Sequence, residues 1–142
     1  MNFESFSSEP VYRLLFALGV VLTSVALYHL VNRATLVRAR ARVPELERER
    51  PGVPALLYFT TPTCAPCKTV QRPAIQRLVE QSGERLEVVE IDAASQPEVA
   101  SQWGVLSVPT TFIIDAQGNP RYVNHGVAPL DKLQRQFAEI IS

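Results

Sequence analysis

The apolar positions of this chain fall into two regions with different periods. From Leu14 to Val31 the sequence runs for 18 residues without a formal charge. A helix of this length covers about 27 Å, close to the hydrocarbon thickness of a bilayer. Apolar residues surround its whole circumference, as expected for a helix in contact with lipid. The pattern predicts a transmembrane helix over residues 11–31, preceded by a tail at residues 1–10.

Two other interpretations of the apolar segment stay open, a cleaved signal peptide and a buried helix of a soluble protein. A signal peptide carries a positive segment before its apolar core, whereas Glu4 and Glu9 precede this one against Arg13. A soluble helix normally keeps a polar stripe, and this segment has none. Both observations favour a helix that spans the membrane.

The residues after the apolar segment indicate its orientation. Its carboxyl flank is arginine-rich, with Arg33, Arg38, Arg40 and Arg42. Positively charged flanks stay in the cytoplasm during insertion. We therefore expect a single-pass protein of the cell membrane whose domain lies on the cytoplasmic side.

Residues 32–52 alternate basic and acidic side chains, with prolines at positions 44 and 51. This composition predicts a solvated spacer at the membrane surface. Lysine plus arginine balance aspartate plus glutamate at 14 each, and no aromatic residues accompany the arginines. A nucleic-acid-binding arm is therefore not expected.

Residues 53–142 show alternating strand and helix patterns that predict one α/β domain. The apolar run 55–59 is typical of a strand buried on both faces, and Gln117-Gly118-Asn119 predicts a hairpin turn between two later strands. The expected strands are residues 55–59, 86–91, 110–115 and 121–124, and the expected helices are residues 64–81, 96–103 and 130–141. This β-α-β-α-β-β-α order requires a mixed sheet with helices on both faces.

The two cysteines, Cys64 and Cys67, lie three positions apart where the first strand turns into a helix. Unpaired backbone N–H groups and the positive end of the helix dipole stabilise a thiolate at such a position. Cys67 follows one turn later and is close enough to form a small disulfide ring. The pattern predicts a nucleophile at Cys64 and a resolving thiol at Cys67.

The Cys-x-x-Cys turn, together with Val108-Pro109-Thr110 about forty residues later, resembles the thioredoxin family over residues 53–141. The resemblance implies a thioredoxin-like fold and a cis peptide bond between Val108 and Pro109. It also implies a groove for a substrate protein chain, and its expected residues are Ala65, Pro66, Val108, Pro109 and Gly126. The expected partners are protein thiols and disulfides, and the expected redox group is the cysteine pair itself, with no cofactor or metal.

The chain departs from the family pattern at several positions. The family's buried aspartate six residues before the first cysteine is Tyr58 here, and its lysine neighbour corresponds to Glu90. The tryptophan before the first cysteine is Thr63, and the helix proline, Pro73, comes one position later. The first strand and helix of a complete thioredoxin are not recognisable. The missing aspartate leaves the redox poise open.

The leading functional hypothesis is dithiol–disulfide exchange at the membrane surface, in the reducing direction if the domain is cytosolic. A rival hypothesis is a non-catalytic thioredoxin-like subunit that holds a membrane complex together. Inert or metal-binding cysteines are disfavoured because a lone pair lacks further ligands. A thiol peroxidase is disfavoured because no second distant cysteine is visible. We expect Trp103, Phe112 and Phe137 in the core, and Lys68 and His125 at the surface.

Overall fold

The computed structural model describes residues 9–142, so the predicted tail, residues 1–10, lies almost entirely outside the described residues. The chain divides into two compact units, one up to Ala34 and one from Thr35 to Ser142. The first helix, α1, has the bounds Glu9–Arg42 and contributes to both.

The part of α1 that belongs to the first unit is apolar and exposed. Its apolar side chains from Val11 to Val31 are open to the surroundings. The helix contains an 18-residue window of mean hydropathy 2.2, and none of that window is buried. Length and composition are sufficient for a membrane span, although a signal sequence meets the same criteria.

The second unit is built on a four-stranded mixed sheet. Its strands are β1 (Ala55–Thr60), β2 (Glu87–Asp92), β3 (Thr110–Ile114) and β4 (Pro120–His125). The spatial order is β2-β1-β3-β4. β1 pairs parallel to β2 and antiparallel to β3, and β3 pairs antiparallel to β4. The predicted parallel unit and hairpin are both confirmed.

Helices cover both faces of the sheet. The dithiol helix begins at Ala65, passes through a π-helical turn, Cys67–Gln71, and continues as α2 (Arg72–Ser82). A short α3 (Pro97–Gln102) and a terminal α4 (Leu130–Ile141) complete the unit. α2 and α4 pack with both cysteines on one face, and α3 packs with Trp103 on the other. The predicted thioredoxin-like α/β architecture is therefore confirmed.

β1 lies at the centre of the core, and all six of its residues are buried. Leu56 and Tyr58 point into the cluster below α2, whereas Leu57 and Phe59 point into the opposite cluster. Side chains alternate between the faces of a strand, so a strand covered on both sides must be apolar throughout. This explains why the run showed no polar alternation in the sequence.

Residues 35–46 do not form the solvated spacer that the sequence predicts. Ala39 and Val43 are buried with Trp103 and Phe112, in the cluster on the α3 face of the sheet. The physical reason is the size of α3: a helix of six residues is too short to cover this face alone. The carboxyl end of α1 supplies the remaining cover, and the compact unit that contains the sheet therefore includes residues from Thr35 onward.

A buried ion pair fastens the rest of the predicted spacer to the sheet. Arg48 Nε lies 3.3 Å from a carboxylate oxygen of Glu87, and their side chains are 9% and 7% exposed. The other oxygen of Glu87 accepts a hydrogen bond of 2.7 Å from the backbone N–H of Glu49. Arg48 also donates to the carbonyl of Val53. The alternating charges of this segment therefore include a structural contact as well as solvated groups.

Candidate active site

The cysteine pair lies at the junction between β1 and the helix that follows it. Cys64 is the last residue before the first helical residue, Ala65, and its N–H donates to the carbonyl of Thr61 at 3.2 Å. Its own carbonyl accepts from the N–H of Lys68 at 3.4 Å. Cys64 therefore occupies the amino-terminal cap of the helix, as the sequence predicts.

The two sulfurs are joined in a disulfide but differ in their exposure. Cys64 is 9% exposed, whereas Cys67 is fully buried in the core below α2. The backbone N–H of Cys67 points at the Sγ atom of Cys64, at 3.2 Å. An N–H donor aimed at a sulfur stabilises negative charge on it when the disulfide is opened. The geometry thus distinguishes an outer sulfur from an inner one.

The dithiol helix carries a π turn between the cysteines and Pro73. The N–H of Arg72 donates to the carbonyl of Cys67, five residues earlier instead of four. A π turn accommodates one extra residue in a helix. The π turn therefore accommodates the extra residue that places Pro73 one position later than in the family pattern. Proline lacks the N–H that would continue the regular ladder, which favours the irregular turn at this point.

Tyr58 occupies the position below the dithiol. Its hydroxyl donates a hydrogen bond of 3.1 Å to the carbonyl of Cys67, and the side chain is 1% exposed. Burial raises the pKa of Tyr58, while the neighbouring Thr60 hydroxyl lowers it. Tyr58 is consequently protonated at neutral pH and acts as a hydrogen-bond donor. It holds the backbone of Cys67 in place and brings no negative charge beneath the sulfurs.

Val108, Pro109 and Gly126 are predicted site residues that lie outside the dithiol helix. The Val108–Pro109 peptide bond is cis, as the resemblance implies. Val108 packs against the cluster that contains both cysteines. The N–H of Gly126 donates to the carbonyl of Pro109 at 2.8 Å, and Gly126 has φ +87°, a conformation that disfavours any residue with a Cβ. Three predicted groove residues are therefore contiguous.

Gln71 connects the dithiol helix to the segment after β4, and sequence reasoning missed it. Its amide oxygen accepts from the N–H of Ala128 at 2.7 Å, and its amide nitrogen donates to the carbonyl of the same residue at 3.1 Å. Gln71 is fully buried. A polar residue on the inner face of an amphipathic helix was the only available signal, and it gives no partner.

Ala65 and Pro66 are exposed between the cysteines. Pro62 and Thr63, which precede the cysteines, are exposed as well. Leu106, two residues before Val108, is 88% exposed. Lys68 is exposed as well, as predicted.

His125 ends β4, directly opposite Thr110 in the sheet, and its side chain is exposed as expected. Partial desolvation lowers its pKa below the ordinary value. Among residues 9–142 no group of three or more histidine, cysteine, aspartate or glutamate side chains is arranged to hold a metal ion.

Comparison with known proteins agrees with this geometry. The family described as thioredoxin matches residues 46–139. Thioredoxin 1 of Synechococcus elongatus is 36% identical over 62 residues, which cover 44% of this chain and 57% of the relative. Thioredoxin of Bacillus subtilis is 33% identical over 56% of this chain and 74% of the relative. The chain thus spans little more than half the length of the Synechococcus protein.

Solved structures show the same architecture. A mutant thioredoxin from Halobacterium salinarum NRC-1 superimposes with a TM-score of 0.56 at 27% identity, over 63% of this chain and 75% of the other. Chloroplastic thioredoxin z gives a TM-score of 0.57 at 22% identity, over 63% and 80% of the two chains, and shows the fold alone. The match to the thioredoxin family covers more than half of the residues of this chain, and the chain therefore belongs to that family.

Proposed function

We propose that this protein is a thiol–disulfide oxidoreductase that acts on protein substrates at a membrane surface. In the reducing direction, the Cys64 thiolate attacks a substrate disulfide, forms a mixed disulfide and releases one substrate thiolate. Cys67 then loses its proton and attacks Cys64 Sγ, which releases the second substrate thiol and closes the Cys64–Cys67 disulfide. Two electrons pass to the substrate, and a dithiol donor must restore the pair.

One observation carries this proposal: the N–H of Cys67 lies 3.2 Å from Cys64 Sγ at the amino end of a helix, while Cys67 itself is buried. This arrangement favours a thiolate on the outer sulfur and keeps the inner thiol within reach of it. The roles of nucleophile and resolving thiol follow from that asymmetry. Ala65, Pro66, Val108, Pro109 and Gly126 are proposed to contact the substrate chain.

Mixed-disulfide trapping tests the two roles. Cys67→Ser in the full chain should accumulate covalent adducts on Cys64, because the step that releases the substrate is removed. The matched variant Cys64→Ser should accumulate none, since the buried sulfur is out of reach of a protein substrate. The readout is non-reducing gel electrophoresis, in which the adducts persist, compared with a reduced sample in which they disappear. Equal trapping by both variants would contradict the assignment.

We also propose that the first unit anchors the protein as a single membrane span with the domain in the cytoplasm. The support is the exposed apolar helix and its window of mean hydropathy 2.2. The arginines after Val31 follow the positive-inside rule. A cytoplasmic domain faces a compartment that keeps thiols reduced, which favours the reducing direction. A carboxyl-terminal phosphatase reporter, active only after export, should be inactive; an active reporter would reverse the orientation.

A non-catalytic subunit of a membrane complex remains the second candidate, and one observation favours it. Tyr58 stands where the resemblance places a buried carboxylate, and its neutral hydroxyl cannot take the proton of Cys67 as that carboxylate would. The two functions differ in turnover. The full chain in detergent micelles, supplied with dithiothreitol, should accelerate reduction of insulin disulfides, and Cys64→Ser should not. Equal rates for both proteins would favour the scaffold.

A further inference from the structure

The strand β2 forms one edge of the sheet, and half of its backbone faces outward. The N–H of Glu87 donates to Pro54, and the N–H of Ala93 donates to Thr60, so the odd-numbered residues turn toward β1. Alternate residues of a strand direct their N–H and C=O groups to opposite sides. Val88 and Glu90 therefore present these groups away from the sheet.

Nothing in the described chain pairs with this outward edge. Among residues 9–142 no hydrogen bond reaches the outward N–H or C=O groups of Val88 and Glu90. The segment before β1 covers only the start of the strand, where Arg50 donates to the carbonyl of Leu86 at 3.1 Å. An edge strand with unpaired groups is a template for another strand.

Two cavities flank this edge, one on each face of the sheet. The cavity on the α2 side measures about 560 Å³, and its apolar lining includes Ile75, Val79 and Val88. The cavity on the α3 side measures about 480 Å³, and its apolar lining includes Leu46 and Val99. A strand added to the edge would point alternate side chains to the two faces, and hence into the two cavities.

The charges around the cavities select among possible strands. Arg42 pairs with Glu45, and Arg72 pairs with Glu90. Two carboxylates that line the cavities have no ion pair in the described chain: Glu47 on the α3 side and Glu80 on the α2 side. Each face of the site therefore keeps one uncompensated negative charge. Lysine or arginine side chains on the incoming strand would complement them.

A second copy of this chain fits the edge poorly. In the antiparallel registers centred on residues 89 or 90 of β2, the Glu90 carboxylates of the two copies lie diagonal or opposite to each other. Like charges at these positions destabilise a strand pair. Acidic residues on an edge are a common means of preventing self-association.

We propose that the β2 edge binds an extended segment of a partner protein that carries aliphatic residues on both faces and at least one lysine or arginine. The segment adds a fifth strand beside Val88 and Glu90, and its side chains occupy the two cavities. This surface is distinct from the groove at Pro109, since β2 and β3 lie on opposite sides of β1.

A peptide titration tests this site on the full chain in detergent micelles. The probe is an octapeptide of two Val-Val-Lys-Lys repeats, which places valine and lysine on both faces of an extended strand, and the readout is the set of backbone amide shifts of the ¹⁵N-labelled protein. We expect the largest shifts at Val88 and Glu90. Val88→Pro removes an outward N–H that β1 does not use, and proline is tolerated at such edge positions. It should weaken binding at least about tenfold, the loss expected for roughly 1.4 kcal/mol.

Two matched probes keep the result independent of how that variant folds. The same octapeptide N-methylated at every backbone amide should also bind at least about tenfold more weakly, because neither of its edges can donate to the ladder. Glu80→Lys should weaken binding of the lysine-containing peptide, whereas the matched charge reversal Glu139→Lys on α4 should leave binding unchanged. The proposal fails if shifts are confined to Thr110 and Gly126, or if N-methylation has no effect. Absence of binding at about 1 mM peptide or self-association through β2 would also overturn it.

Discussion

Removal of the Glu87 carboxylate should strongly destabilise the domain. Glu87 pairs with Arg48 at 3.3 Å, and both side chains are more than nine-tenths buried. Glu87→Ala leaves the guanidinium of Arg48 buried with the carbonyl of Val53 as its remaining partner. Breaking a buried pair in this way costs about 3–5 kcal/mol. Typical domains are stable by about 5–15 kcal/mol, so a loss of this size is a large fraction of the total.

The single tryptophan makes this loss measurable in the full chain. Trp103 is buried in the cluster that the carboxyl end of α1 completes, so its emission follows unfolding of the second unit in detergent micelles. At about 4 °C per kcal/mol, the expected loss corresponds to a fall in Tm of at least about 12 °C.

A matched control removes a carboxylate from an exposed ion pair. Asp131 pairs with Arg135 at 2.9 Å, and both side chains are about two-thirds exposed. Asp131→Ala should cost no more than about 1 kcal/mol. If Glu87→Ala lowers Tm no more than this control, the segment 46–53 is not fastened to the sheet as described.

Further predictions concern the site. Tyr58→Phe should cost about 1 kcal/mol, since it removes the hydrogen bond to Cys67 but keeps the ring; urea unfolding followed by Trp103 emission measures it. Gln71→Leu should cost at least about 2 kcal/mol in the same assay, because both backbone groups of Ala128 lose buried partners. The pKa of His125 should lie below its ordinary value in an NMR titration. An unfolded histidine binds its proton more readily, so this contribution to stability is present above about pH 6.5 and is lost as pH falls through the folded pKa.

Local patterns were sufficient to predict the strands of the second unit and the helices that follow residue 53. The buried run at β1, the turn at Gly118 and the amphipathic α4 each carry their signal within a few residues. The cysteine pair was equally visible, because its chemistry requires two residues at a fixed spacing on one helix end. The order of elements then leaves few topologies, since connections are short and parallel crossovers right-handed.

The roles of residues 35–50, Gln71 and the β2 edge could not be predicted from the sequence. Ala39 and Val43 lie among arginines in the sequence, so their segment was predicted to be solvated. In the structure both residues are buried against the face of the sheet that contains Trp103. Arg48 pairs with Glu87, which lies 39 positions later in the sequence.

The sequence by itself thus determined the elements, the fold class and the position of the reactive sulfurs, because these depend on periods and spacings along the chain. Tertiary structure decided which charges are buried, which residue supports Cys67, and which strand edge stays open. Those features depend on contacts between distant residues, and a contact has no signature in either residue alone.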